Sequence, residues 1–194
     1  VTTVCTDKTG TLTRNEMTVQ RVVCAEQHFE VSGVGYAPQG ACNLGGQPVD
    51  PEQYSPLELA IRSGVLCNDA RLHEENGQWH IDGDPTEGAL LVLGGKTGLT
   101  AKLAAEAWPR LDSIPFESQH CFMATYHQDQ DGAPWIFVKG APERVMDMCD
   151  RQLSTTGDQP LDPGYWRRMA TDIAARGLRL LALGYKQARP LHGQ

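Results

Sequence analysis

Apolar positions recur along this chain with two different periods, and the changes between them mark its elements. Leu57, Ala60, Ile61, Gly64 and Val65 fall on one face of a 3.6-residue period, which predicts a helix. Ser55-Pro56-Leu57-Glu58 reads as its capping box, with proline at the first helical position. Asp84-Pro85-Thr86-Glu87 opens a second helix, Thr100 caps a third that runs to Trp108, Pro142 opens a fourth to Cys149, and Asp162-Pro163 opens a fifth that ends at Gly177. Extended runs rich in β-branched and aromatic residues lie at 1–5, 18–24, 28–31, 79–81, 112–116, 121–127, 135–139 and 178–185. Asn76-Gly77 and Asp131-Gly132 mark hairpin turns between neighbouring runs. Residues 33–54, punctuated by glycine and proline, and residues 151–161 read as loops. Strands and helices in this order predict an α+β fold, a mainly antiparallel twisted sheet flanked by helices, in preference to a doubly wound one.

Composition narrows the classes. The chain has 194 residues, 40% hydrophobic, enough for a packed core, and 21% charged. Its net charge of −7, without a basic stripe, argues against nucleic acid as a partner. Six cysteines stand at irregular spacings with no C-x-x-C, so reduced, mostly buried thiols are expected, and no zinc site. No apolar run approaches the roughly eighteen residues of a spanning helix, so direct membrane insertion by this chain is not expected. Gly94-Gly95-Lys96-Thr97 suggests a phosphate loop, but Leu90 stands where that loop needs glycine, and a glycine turn at a helix C-terminus accounts for it better.

The chemistry is densest near the start. The strand-like Val1-Thr2-Thr3-Val4-Cys5 delivers Asp7 into the turn Asp7-Lys8-Thr9-Gly10-Thr11-Leu12-Thr13. A carboxylate at a strand tip can attack phosphorus and form an aspartyl-phosphate. Gly10 lets the backbone approach a phosphate, and the hydroxyls of Thr9 and Thr11 can hold its oxygens. Two residues after the candidate nucleophile stands Thr9, which cannot shuttle a proton at neutral pH. An acyl phosphate formed here should therefore persist long enough to be coupled to another process.

This run, continued by Arg14-Asn15-Glu16-Met17-Thr18-Val19, resembles the phosphorylation motif of the P-type, or E1-E2, cation-transporting ATPases, and looks most like the calcium-pump branch. Cys67-Asn68-Asp69 points to the same branch. The resemblance implies that Asp7 accepts the γ-phosphate of ATP, and that Mg²⁺ is held by the Asp7 carboxylate and the Thr9 carbonyl. It further implies a nucleotide pocket: Phe116 stacking on adenine, Met123 lining the pocket, Glu87 contacting the adenine amino group, Lys139 and Gly140 of Lys139-Gly140-Ala141-Pro142-Glu143 beside the base, and Arg179 reaching the phosphates. Glu87 also stands where it would close a capping box with Asp84. Arg179, within an apolar run, would need an anionic partner if buried, and a phosphate is one. The chain departs from the pattern at Cys121, where relatives commonly carry a lysine near the phosphates, so weaker or differently posed ATP binding is expected.

Residues 1–15 then correspond to the first strand and phosphorylation turn of the phosphorylation domain plus the start of a hinge, 16–186 to the nucleotide-binding domain, and 187–194 to a return hinge or tail. The remaining phosphorylation domain, the actuator domain and the transmembrane domains of the parent chain are the implied partners, along with ATP. The chain is thus expected to be a cytosolic domain of an integral membrane ion pump, binding ATP without efficient turnover by itself because its Mg²⁺ site is incomplete. A free-standing phosphatase or phosphotransferase with a large cap domain, a nucleotide-sensing module, and a pump for another cation such as Na⁺/K⁺ are the competing readings.

Overall fold

The computed structural model of the chain describes residues 16–188. Asp7, Thr9 and Thr11 lie outside the described residues, so the phosphorylation turn and its Mg²⁺ ligands have no structural account.

The described residues open with two antiparallel strands, β1 (Arg21–Cys24) and β2 (Gln27–Val31), joined by a turn in which Ala25 and Glu26 both take positive φ, +48° and +62°. β2 continues into β3 (Cys42–Leu44), which turns back as β4 (Gln47–Val49), so the four strands form one sheet in sequential order. Residues 33–54 are therefore not all loop. Gly45-Gly46, with φ of +59° and +80°, is the two-residue turn of a hairpin whose strands are only three residues long.

α1 (Ser55–Leu66) follows and buries Leu57, Ile61, Gly64 and Val65. The expected capping box is absent: Ser55 lies inside the helix, and the N-cap, Tyr54, offers no side-chain bond. Proline in the first turn is what remains of that start signal. Beyond it comes a hairpin, β5 (Arg71–Glu75) and β6 (Gln78–Asp82), turning at Asn76 and Gly77 with φ of +52° and +77°.

α2 (Pro85–Lys96) is capped by Asp84, whose carboxylate accepts from the amides of Thr86 at 2.7 Å and Glu87 at 3.3 Å. Gly94 and Gly95 belong to the helix body, so the phosphate-loop reading fails here too, and the positive-φ glycine that follows the helix is Gly98. α3 (Ala101–Ala107) is capped by Thr100.

The second four-stranded sheet contains β7 (Arg110–Glu117), β8 (Phe122–Gln128), β9 (Pro134–Gly140) and β12 (Ala182–Gln187) in the order β12-β9-β8-β7, all antiparallel. α4 (Pro142–Asp147) covers β9 and β12 on one face, and α1 packs on the other. On the α1 face lie Met123 and Phe137, within a core that includes Leu57, Ile61, Val65, Leu66, Cys67 and Leu91. Trp108, Trp135 and Phe137 stack beside them, with centroids 5.2 to 6.2 Å apart.

Residues 151–161, expected as a loop, form a hairpin of β10 (Arg151–Ser154) and β11 (Gly157–Pro160), and α5 (Pro163–Ala174) follows, capped by Asp162. The run 178–185 is extended only from Ala182, so Arg179 lies outside the strand. Arg179 is exposed, and burial supplies no argument for an anionic partner. The architecture is α+β with antiparallel sheets, as the element order predicts.

Candidate nucleotide site

The site is built where α2, the turn after α1 and the second sheet meet. Asp84 fixes the first turn of α2, and Glu87 projects from that turn toward β9. Glu87 does not close a capping box; its carboxylate accepts a bond from the ammonium of Lys139 and another from the Asp69 amide at 3.3 Å. Lys139 also donates to the carbonyl of Cys67. An ammonium with 6% of its side chain exposed needs such partners, since an unpaired buried charge is costly.

Partial burial pushes the carboxyl of Asp84 up, but its bonds from Thr86 and Glu87 and the nearby charge of Arg179 bring it below the usual carboxylate range. Arg179 thus lies on the Asp84 side of the α2 N-terminus. Burial pushes the thiol of Cys67 up, with Lys139 opposing it, so this cysteine is a neutral packing residue. Cys67 donates to the Met123 carbonyl at 3.5 Å.

Phe116 is 56% exposed, where a phenylalanine kept for packing would be buried. The register of β7 says which way it points. Ile114 faces Ala124 and Glu117 faces Phe122, so residues three apart on β7 pair with residues two apart on β8, and the difference is a bulge. Cross-strand partners share a face, so Ile114 and Glu117 both belong to the face of Ala124 and Phe122. Phe116, adjacent to Glu117, then belongs to the opposite face, that of Met123 and its partner Lys139. Met123 is 1% exposed and forms part of the core beneath this surface, with no open wall of its own.

Gly140 ends β9 between Phe122 and Ala182. A β-carbon there would meet the Cys121 carbonyl at 2.4 Å and backbone and side-chain atoms of Phe122 within 2.9 Å, so close strand packing accounts for glycine without a ligand. Cys121 sits at φ +57° in the β7–β8 turn, where its thiol donates to Ser118 at 3.0 Å and its carbonyl accepts from Ala141 at 3.0 Å.

Phe116, Glu87, Met123 and Lys139 are thus gathered on one face, with Gly140 at its edge, while Arg179 lies near Asp84. Cys67, Asn68 and Asp69, which mark only a branch resemblance in the sequence, form the turn that holds the site together. Asn68 donates to the Gly64 carbonyl at 3.1 Å and the Glu87 carbonyl at 2.9 Å, and accepts from Ala70 at 2.9 Å. Arg110, which no local pattern singles out, clamps the same turn. Two cavities lie elsewhere. One of 250 Å³ is lined by Asn68, Trp108, Arg110 and His127, and one of 630 Å³ borders Thr86 and Arg179; neither has Phe116, Glu87 or Lys139 in its wall. Among the described residues no cluster of His, Cys, Asp and Glu is fit to hold a metal ion, and no helix is long and apolar enough to cross a membrane.

The arrangement offers an exposed aromatic platform beside a cation fixed in place by a carboxylate, which suits a planar heterocycle that can stack and accept a hydrogen bond. The family model described as "P-type ATPase, cytoplasmic domain N" matches residues 56–191. The cation-transporting ATPase pma1 of Synechocystis is 44% identical over 98% of this chain and 22% of its own length. A probable cation-transporting ATPase F of Mycobacterium tuberculosis is 38% identical over 94% of this chain and 20% of its own. The calcium-transporting ATPase of Bacillus subtilis is 32% identical over 94% of this chain and 21% of its own. The chain spans about a fifth of the length of the curated relatives it matches.

Proposed function

We propose that this chain, which belongs to the P-type ATPase family and matches its cytoplasmic domain N, binds ATP between Phe116 and the Glu87–Lys139 pair. The observation that carries this reading is the exposure of Phe116 on the sheet face that also holds Lys139. A large aromatic left in water forgoes about 2 kcal/mol of burial, a cost that stacking against a base offsets on binding. Glu87 and Lys139 hold each other at the edge of that platform, where the adenine edge offers both a donor and an acceptor. Met123 supports the platform from within the core, and Gly140 lets the Cys121–Phe122 turn close over β9. Arg179, exposed and near Asp84, is free to turn toward a triphosphate.

In the same reading the Asp7 carboxylate attacks the γ-phosphorus of ATP and ADP leaves as the bond to the β-phosphate oxygen breaks, with the Thr9 and Thr11 hydroxyls to hold phosphate oxygens; the Asp7 carboxylate and the Thr9 carbonyl would hold Mg²⁺, which would screen the charge. The parent protein hydrolyses ATP to move a cation, with this chain as a cytosolic domain of an integral membrane protein and its remaining phosphorylation, actuator and transmembrane domains as partners. Calcium is the favoured ion, supported by the run from Cys5 through Val19, by Cys67-Asn68-Asp69 and by a relative named as a calcium transporter. Residues 16–186 serve as the nucleotide-binding domain.

Titration of the 194-residue chain with ATP, followed by amide NMR, tests the binding reading. Shifts centred on Phe116 and Lys139 are the expected result. Shifts confined to the larger cavity around Thr86 and Arg179, or no shifts at millimolar ATP, overturn it.

A further inference from the structure

Arg110 stands at the start of the edge strand β7, whose far end carries Phe116. β7 is exposed along its whole length and paired on one side only, so hydrogen bonds to β8 are its main attachment. Its base has a second one. The guanidinium of Arg110 donates to the Asp69 carboxylate at 2.7 Å, to the Leu66 carbonyl at 2.9 Å and to the Asn68 carbonyl at 2.5 Å. Those acceptors belong to the last residue of α1 and the turn that follows it, which also presents the Cys67 carbonyl to Lys139 and the Asp69 amide to Glu87.

We infer that Arg110 is a positioning residue for nucleotide binding, setting the Phe116 platform against the Glu87–Lys139 pair. One side chain joins the strand bearing the aromatic to the turn bearing both anchors of the ion pair. The planar fork matters, because one ammonium cannot span two carbonyls and a carboxylate in fixed directions. The exposed ion pair with Asp69 contributes little by itself, so the two carbonyl bonds are the operative contacts. This inference rests on the nucleotide reading above.

Calorimetric titration of the 194-residue chain and its Arg110→Ala, Arg110→Lys and Asp69→Asn variants with ATP and GTP tests it, alongside melting curves. Arg110→Ala is expected to weaken ATP at least about fivefold and to narrow the ATP-to-GTP preference, and Asp69→Asn, which removes the charge but keeps both carbonyl bonds, is expected to weaken it less than Arg110→Ala does. Arg110→Lys should fall with Arg110→Ala, since charge without the fork does not restore the geometry. If Arg110→Ala lowers the melting temperature but leaves affinity and base preference within about twofold, Arg110 is structural only and the inference is overturned. If the parent chain binds neither nucleotide, the nucleotide reading itself fails and takes this inference with it.

Discussion

The ammonium of Lys139 and the carboxylate of Glu87 form a buried ion pair between the end of a strand and the first turn of a helix, 52 residues apart in the chain. It is both a structural clamp and one side of the proposed nucleotide site. Removing one partner leaves the other charged and shielded from water, so Lys139→Met should cost about 3 to 5 kcal/mol in urea unfolding. Lys139→Met combined with Glu87→Gln should recover part of that loss, because the stranded carboxylate is gone. Strictly additive costs would contradict the pairing.

Phe116 and Met123 should separate binding from stability. Phe116 is 56% exposed, so Phe116→Ala should change stability by no more than about 0.5 kcal/mol while removing most ATP affinity. Met123 is 1% exposed, so Met123→Ala should cost about 2 to 5 kcal/mol through the cavity it leaves. Paired melting and titration of both variants gives the comparison, and a Phe116→Ala chain that binds ATP normally refutes the stacking role.

His127 makes stability fall on the acid side. Its ring is buried at the core face of β8, and its Nδ1 lies 2.9 Å from the Trp108 carbonyl. Burial pushes its pKa below the ordinary value, opposed by hydrogen bonding to Trp108, with Arg110 adding to the lowering. The unfolded chain takes up this proton near pH 6.5, roughly the ordinary histidine value, and the folded chain only at lower pH. Stability from this residue is therefore intact above about pH 6.5 and declines below it, because the unfolded state then binds more protons. Urea midpoints measured from neutral to mildly acidic pH should fall, and His127→Gln should flatten that part of the slope.

Cys121 bears on affinity. A lysine there adds a cation at the mouth of the β7–β8 turn, so Cys121→Lys should tighten ATP several-fold at low ionic strength and less in high salt. An affinity unchanged by Cys121→Lys shows that the missing charge is irrelevant.

Much of the fold is legible in the sequence where a local residue choice has only one structural meaning. Asn76-Gly77 turns a hairpin because both positions need positive φ, and Asp84 and Thr100 cap helices because their side chains reach amides two or three residues on. Gly45-Gly46 is ambiguous, since glycine serves loops and tight turns alike, and strands of three or four residues are too short to show alternation. Ser55 fails as a cap because the helix begins one residue before the pattern requires. The site residues are legible by kind but not by arrangement. Glu87 and Lys139 each suggest a role, yet that they bind one another depends on β9 lying beside the α2 N-terminus. Arg110 carries no local signal, because its three acceptors lie 41 to 44 residues earlier in the chain.

The bulge in β7 makes the platform depend on a count. Strand side chains alternate like odd and even numbers, and one surplus residue between Ile114 and Glu117 changes the parity of everything beyond it. Paired in plain alternation from Ile114, the same residues would keep the aromatic but turn Phe116 to the side where Phe122 and Ala124 lie, and the surplus residue returns it to the side of Met123 and Lys139. The proposed nucleotide surface therefore depends on how this edge is counted against its neighbour as much as on which side chains it carries.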